Sequence, residues 1–306
     1  MTFIMPTSRR NFIVKSSLLS GLMLSSALPT RAETNKKPVE SKKETVYLWE
    51  KGSKNDLPTE ESERPKLEIY LPQQAATNRR CVVVCPGGGY YGIAEDHEGK
   101  QVAELFNGHG IVAALLFYRH RTHQHPAPYA DACRAMRIMR NNATTYQIDP
   151  NKIAIMGFSA GGHLASTVST QPDLYKDPLD DLVAKVSARP DRVILGYPVI
   201  SLGEFAHIGS RDNLLGKNAD PALVKQLSNH LQVTAQTPPA FLFHTADDAG
   251  VPVQNSLLFA EACVRHKVPV ELHVFPKGKH GVGLAQNDAH LKIWPQNLLN
   301  WLDQWA

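Results

Sequence analysis

At 306 residues, 42% hydrophobic and 20% charged, the chain has the composition of a soluble globular protein with enough apolar material for a full core. Its formal net charge of +4 is carried by Arg9, Arg10, Lys15 and Arg31; without them the lysines and arginines only match the 29 acidic residues. A neutral body argues against a nucleic-acid or anionic-lipid binder, whose basic excess would lie in the folded domain.

The stretch Ser8-Arg9-Arg10-Asn11-Phe12-Ile13-Val14-Lys15 resembles the twin-arginine export consensus. An apolar run over 16–28 follows, too short for the roughly 20 residues of a membrane span, and then Thr30-Arg31-Ala32, with small residues where a signal peptidase needs them. We therefore expect a cleaved twin-arginine signal peptide over 1–32, with retention as a membrane anchor the competing reading. The expected location is periplasmic or secreted. Residues 33–44 are polar, lysine-rich and aperiodic, and read as a flexible spacer before a catalytic domain over 45–306.

Strands are expected at 45–49 and 67–71, the second alternating in polarity before Pro72 ends it. The runs 80–85 and 111–118 are continuously apolar, as in strands covered on both faces, with a helix over 101–106 between them. A helix over 129–142 and the strand 152–156 come next. The chain continues with strands at 192–197, 240–245 and 270–275, a helix over 253–265 and a last helix over 288–305, which Pro295 kinks or breaks. Alternating β and α implies a mostly parallel central sheet with helices on both faces, an α/β fold. Two polar, proline-punctuated excursions, 171–190 and 201–237, interrupt the rhythm, the second with a short helix capped by Asp220; such excursions shape ligand sites. Cys81 and Cys85 share one extended run, about 13 Å apart, too far to pair. With Cys133 and Cys263, all in apolar settings, they read as buried thiols.

Gly157-Phe158-Ser159-Ala160-Gly161-Gly162 sits where that strand passes into a helix. A serine lifted on so sharp a turn needs glycine two residues before and two after, because those positions crowd each other. Its hydroxyl becomes a nucleophile only beside a base that a third group orients. Downstream, Asp247 and Asp248 lie just past one strand, and His280 lies in the glycine-rich loop past the next. Serine, acid, histidine is the chain order of the α/β-hydrolases. The tetrahedral intermediate also needs N–H donors: Ala160, directly after the serine, and Gly88 and Gly89 in the loop Pro86-Gly87-Gly88-Gly89-Tyr90. No phosphate-loop pattern and no metal-ligand spacing is present, so neither cofactor nor metal is expected.

With those residues placed, the chain resembles the α/β-hydrolase superfamily, and more narrowly the exported bacterial acetyl xylan esterase-like and feruloyl esterase-like carbohydrate esterases. The resemblance rests on Cys85-Pro-Gly-Gly-Gly-Tyr-Tyr91, Glu98-Gly99, Tyr118-Arg119, Asp131-Ala-Cys-Arg-Ala135, Ile148-Asp149-Pro150, Gly157-Phe-Ser-Ala-Gly-Gly-His163, Asp248-Ala-Gly-Val-Pro252 and Gly278-Lys-His-Gly281. It implies Ser159 as nucleophile and His280 as base, and its Asp-x-x-Val-Pro spacing selects Asp248 over Asp247 as the orienting acid. Pro86 departs from the histidine that many related esterases carry before the three glycines. The implied activity is removal of acetyl or feruloyl groups from plant polysaccharides such as xylan, with an acylated oligo- or polysaccharide as partner. A general short-chain carboxylesterase and a proline-directed peptidase are the alternatives, the latter disfavoured because the loops show no acidic pair for a peptide amino terminus. A non-catalytic binding protein on the same scaffold would have no use for a strained, exposed serine. Tyr90, Tyr91 and Tyr197 adjoin the catalytic turns, either as sugar platforms or as packing.

Overall fold

The central strands are apolar on both sides because both sides are covered. In a computed structural model, which describes residues 42–53, 60, 63–73 and 78–305, β3 (Cys81–Cys85) is wholly buried. Its alternate residues enter different cores: Val82 and Val84 pack with α1 (Gln101–Gly108) and α7 (Trp294–Asp303), while Cys81, Val83 and Cys85 pack with α2 (Ala127–Asn141) and α3 (Ser159–Thr170). The same division runs through β4 (Val112–Phe117), β5 (Ile153–Phe158) and β7 (Ala240–Thr245), where Phe241 and Phe243 face α7 and Leu242 faces the opposite layer. Burying each such valine or phenylalanine contributes roughly 1.5–3 kcal/mol relative to leaving it in water.

With β1 (Lys42–Tyr47), β2 (Lys66–Leu71), β6 (Arg192–Gly196) and β8 (Val270–Phe275), these strands form an eight-stranded sheet in the order β1-β2-β4-β3-β5-β6-β7-β8. The pairings β1–β2 and β2–β4 are antiparallel and all others are parallel. This is the mostly parallel sheet with helices on both faces expected from the alternation, in the α/β-hydrolase architecture that the resemblance implies. The strands from β3 to β8 therefore end on one edge of the sheet, where ligand sites of such folds lie. The described residues belong to one compact unit, Glu40–Ala306. The expected signal peptide, and the spacer as far as residue 41, lie outside the described residues.

Several boundaries differ from expectation for local reasons. β1 starts at Lys42, inside the expected spacer, because Lys42, Lys43 and Glu44 pair along the backbone with Leu71, Tyr70 and Ile69, their side chains staying exposed and Lys43 reaching across to Glu68 of β2. The last helix is broken: a 3-10 turn at Leu291–Ile293 precedes α7, and Pro295 falls in its first turn, where a missing N–H costs nothing. The excursion 201–237 holds α4 (Ile208–Leu215), which the sequence did not announce, as well as α5 (Pro221–Gln226), whose Asp220 accepts from the Ala222 N–H as expected of a cap. α6 (Gln254–Arg265) closes the helical set. All four cysteines are free and buried, and burial pushes the Cys133 and Cys263 thiols up to about 12. Among the described residues no helix is long and apolar enough to cross a membrane.

Candidate active site

Four loops at the carboxyl edge of the sheet converge. β5 ends at Phe158, and Ser159 takes a left-handed backbone (φ 51°) as the first residue of α3. This conformation is costly for a residue with a Cβ and persists only where the surroundings enforce it. The enforcement is steric: a Cβ on Gly157 would strike the Gly161 carbonyl, and one on Gly161 would strike the carbonyls of Cys85 and Pro86. The turn therefore packs directly against the end of β3, which pairs with β5 up to Cys85 and Gly157.

The loop after β8 brings His280 to this serine, its Nε2 lying 2.8 Å from Ser159 Oγ. Its Nδ1 lies 2.7 Å from Oδ2 of Asp248, in the loop after β7. Of the two candidate acids, then, Asp248 meets the imidazole. Asp247 instead accepts from the Gly278 N–H at 2.8 Å, tying the acid loop to the histidine loop. Asp248 Oδ1 accepts from the N–H groups of Gly250 and Val251 at 2.8 and 2.9 Å. Burial alone would push this carboxyl up, but hydrogen bonds from His244, His280 and Val251 outweigh it and hold Asp248 well below the usual carboxylate range. Gly250 packs so closely that a Cβ there would lie 3.0 Å from His280 Cγ. A hydroxyl bonded to an imidazole whose far nitrogen rests on an ionised carboxylate is the arrangement that nucleophilic serine chemistry requires.

The glycine loop lies beside Ser159. Gly88 (φ 128°) and Gly89 (φ 66°) both need backbone that other residues rarely adopt, and a Cβ on Gly88 would strike the Gly92 carbonyl. The Gly87 N–H is taken by Glu98 Oε2 at 2.8 Å, and the Gly88 carbonyl accepts from Tyr91 and Gly92. Among the described residues the Gly88 and Gly89 N–H groups donate to no protein acceptor. Ala160 follows Ser159 at the start of α3, where N–H groups are also unpaired by the helix. Pro86, the departure from the related esterases, accepts from the Tyr118 hydroxyl at 2.7 Å through its carbonyl.

Other groups at the site were not legible beforehand. Asn213 of α4 donates to the Gly89 carbonyl at 2.9 Å, so the second excursion buttresses the glycine loop. The first excursion instead packs on α2, where Asp177 and Asp181 meet Arg134. His207 caps α4 by accepting from the Ser210 N–H; burial pushes it down, as does the charge of His280, while that of Asp248 works against both. Of the three tyrosines, Tyr90 and Tyr197 are buried and pack, while Tyr91 is exposed, with the Arg121 guanidinium over its ring. Between the histidine loop and the start of α1 lies a cleft of about 650 Å³, lined in part by His97, Gln101, Lys279, Gln286 and Asn287. Among the described residues no group of three or more histidines, cysteines or carboxylates is placed to hold a metal ion.

Residues 67–263 match the BD-FAE family model. The chain belongs to the BD-FAE family. The matched segment contains the glycine loop, Ser159 and Asp248 and ends before His280. Among curated relatives, the chain is 40% identical over 234 residues to an endo-1,4-beta-xylanase B of Butyrivibrio fibrisolvens, covering 75% of this chain and 36% of that protein. It is 34% identical over 244 residues to an acetylxylan esterase of Xylanibacter ruminicola, covering 78% and 48%. The chain thus spans less than half the length of these two relatives. Among solved structures, an acetyl ester-xyloside bifunctional hydrolase from Caldicellulosiruptor lactoaceticus is 47% identical, with a TM-score of 0.79 over 85% of this chain and 95% of that one.

Proposed function

We propose that this member of the family is a serine carboxylic ester hydrolase that removes acetyl groups from xylan-type carbohydrates. The observation that carries the reading is the unbroken hydrogen-bond chain from Ser159 through His280 to Asp248. The names of the acetylxylan esterase and the acetyl ester-xyloside hydrolase support the choice of substrate. In this mechanism His280 Nε2 takes the Ser159 proton as Oγ attacks the ester carbonyl. The Gly88, Gly89 and Ala160 N–H groups receive the oxyanion, a stabilisation worth roughly 3–4 kcal/mol per donor. Collapse of the tetrahedral intermediate breaks the ester C–O bond, and His280 returns the proton to the departing sugar oxygen. Water then attacks the acyl-enzyme, again giving its proton to His280, and acetate leaves as Ser159 regains its hydrogen. Asp248 holds Nδ1–H toward itself, so that Nε2 faces the serine as an acceptor.

Arg9-Arg10 and the apolar run behind them support export by the twin-arginine route, which would place the enzyme where polysaccharide fragments arrive. The test is acetate release by the full chain and by Ser159→Ala, from acetylated xylan and from p-nitrophenyl esters of increasing acyl length. Release from both acetyl substrates, failure of longer acyl chains and a folded but inactive variant are expected. Activity on artificial esters alone, tolerant of chain length, would make the protein a general carboxylesterase; no serine-dependent activity would remove the esterase reading.

A further inference from the structure

Glu98 is a buried carboxylate that the mechanism above leaves unused. It is 3% exposed, at the turn leading into α1. Placing a carboxylate there is expensive unless it is fully hydrogen-bonded, and an apolar residue would serve stability better. Its partners show what the cost secures. Oε2 accepts from the Gly87 N–H at 2.8 Å, immediately before Gly88 and Gly89. Oε1 accepts from the Tyr197 hydroxyl at 2.8 Å, and that hydroxyl in turn accepts from the Gly283 N–H at 2.9 Å, in the loop that carries His280. The proton assignment is forced, because a backbone N–H can only donate and the tyrosine proton is then left for Glu98. Burial, with the charge of Glu98, pushes the Tyr197 hydroxyl well above its ordinary value, so it remains a donor. His97 Nε2 lies 3.8 Å from Oε1.

The same two residues touch the reacting groups' supports. The ring of Tyr197 stands edge-on to the His280 imidazole, centroids 5.0 Å apart and planes at 70°. Tyr197 itself is held at φ 34°, a strained backbone shared at the site by Ser159 and by Tyr90 of the glycine loop. A Cβ on Gly87 would lie 2.6 Å from Glu98 Oε2 and 2.9 Å from Ser159 Cβ, so the carboxylate, the glycine loop and the serine are in direct contact.

We propose that Glu98 and Tyr197 are positioning residues: one buried carboxylate–tyrosine unit that sets the glycine loop and the His280 loop in register on either side of Ser159. The proposal rests on the esterase reading. Its effect is to place the oxyanion donors and the base at one distance from the same reacting carbon, which matters in the transition state and little in ground-state binding.

The experiment is p-nitrophenyl acetate hydrolysis by wild type, Glu98→Gln, Tyr197→Phe and the double variant, with inhibition by an aryl boronic acid that mimics the tetrahedral intermediate. Wild-type activity is scored first; its absence ends the esterase reading before any variant is compared. We expect Glu98→Gln to lower kcat by roughly 10- to 100-fold with KM unchanged, and boronate affinity to fall in parallel. Tyr197→Phe, which removes one hydroxyl and leaves the ring against His280, should lower kcat in the same direction. The double variant should be no worse than Glu98→Gln alone, because both break one unit. Losses that multiply in the double variant, or variants that melt earlier yet keep wild-type kcat and boronate affinity when folded, would overturn the proposal. If Glu98→Gln fails to fold, Tyr197→Phe decides: unchanged kcat and boronate affinity in it refute the unit.

Discussion

At the residue scale, the site turns on which oxygen and which nitrogen face each other. Asp248 spends Oδ1 on the Gly250 and Val251 N–H groups, leaving Oδ2 for His280 at 2.7 Å and for His244 at 3.4 Å. Asp248→Asn would present an amide N–H to Nδ1 or lose a backbone donor, and would favour the imidazole tautomer that points its proton at Ser159. We expect kcat to fall on the order of 10³- to 10⁴-fold with the fold retained, measured as ester turnover alongside a thermal melt. Asp247→Asn should do far less, because an amide oxygen can still accept from Gly278; the reverse order of effects would contradict the assignment. The serine, the histidine and the pair of acids were legible because each sits at a motif-defined place after a strand. Glu98 was visible only as part of a resemblance. Its role depends on Tyr197, 99 residues away, and no local pattern encodes that meeting.

At the element scale, the approach of β5 and α3 to the end of β3 leaves no room for a methyl group at Gly161, since the obstacles are backbone carbonyls that cannot swing aside. Gly161→Ala should therefore destabilise the protein by about 3 kcal/mol or more and abolish activity, as read by urea unfolding and turnover. Gly92→Ala, in the glycine loop but with nothing within 4 Å of the new carbon, should stay within about 0.5 kcal/mol. Equal effects at the two positions would show that the turn is not under this constraint. The central strands were readable because burial on both faces demands unbroken apolar runs. β1 was read short because the side chains of Lys42–Glu44 stay exposed and enter no core, and a lysine-rich run carries no alternation. α4 was missed because its Gly209, Ser210, Asp212 and Asn213 leave no apolar stripe, and it is held by its His207 cap and by Asn213 on the glycine loop.

At the scale of the whole molecule, two histidines give stability a pH dependence of known sign. His163 is buried, with Nε2 donating to the Leu227 carbonyl and Nδ1 accepting from the Tyr90 hydroxyl. Burial pushes it down to about 4, against the Leu227 hydrogen bond and with help from the charge of His125. His125 is likewise pushed down to about 4 by burial. Both bind a proton more tightly when unfolded, near the ordinary 6.5, than when folded. Their contribution is thus complete above about pH 6.5 and is lost progressively as pH falls from 6.5 toward 4. Urea unfolding across that window should show stability declining with acidification, His163 adding up to about 1.4 kcal/mol per pH unit. His163→Gln should flatten the decline even though it lowers stability at neutral pH. An unchanged slope in the variant would mean that His163 is already charged in the folded protein.

Whether Ser159 carries the acyl group is decided by intact and peptide mass measurement of the full chain quenched milliseconds to seconds after mixing with p-nitrophenyl acetate. A burst of p-nitrophenol matching the enzyme present is expected, with the mass of one acetyl group on the peptide that contains Ser159, absent from Ser159→Ala. Hydrolysis that proceeds with no acylated peptide under any quench, or with the acetyl group on another residue, or that survives Ser159→Ala, would contradict that assignment.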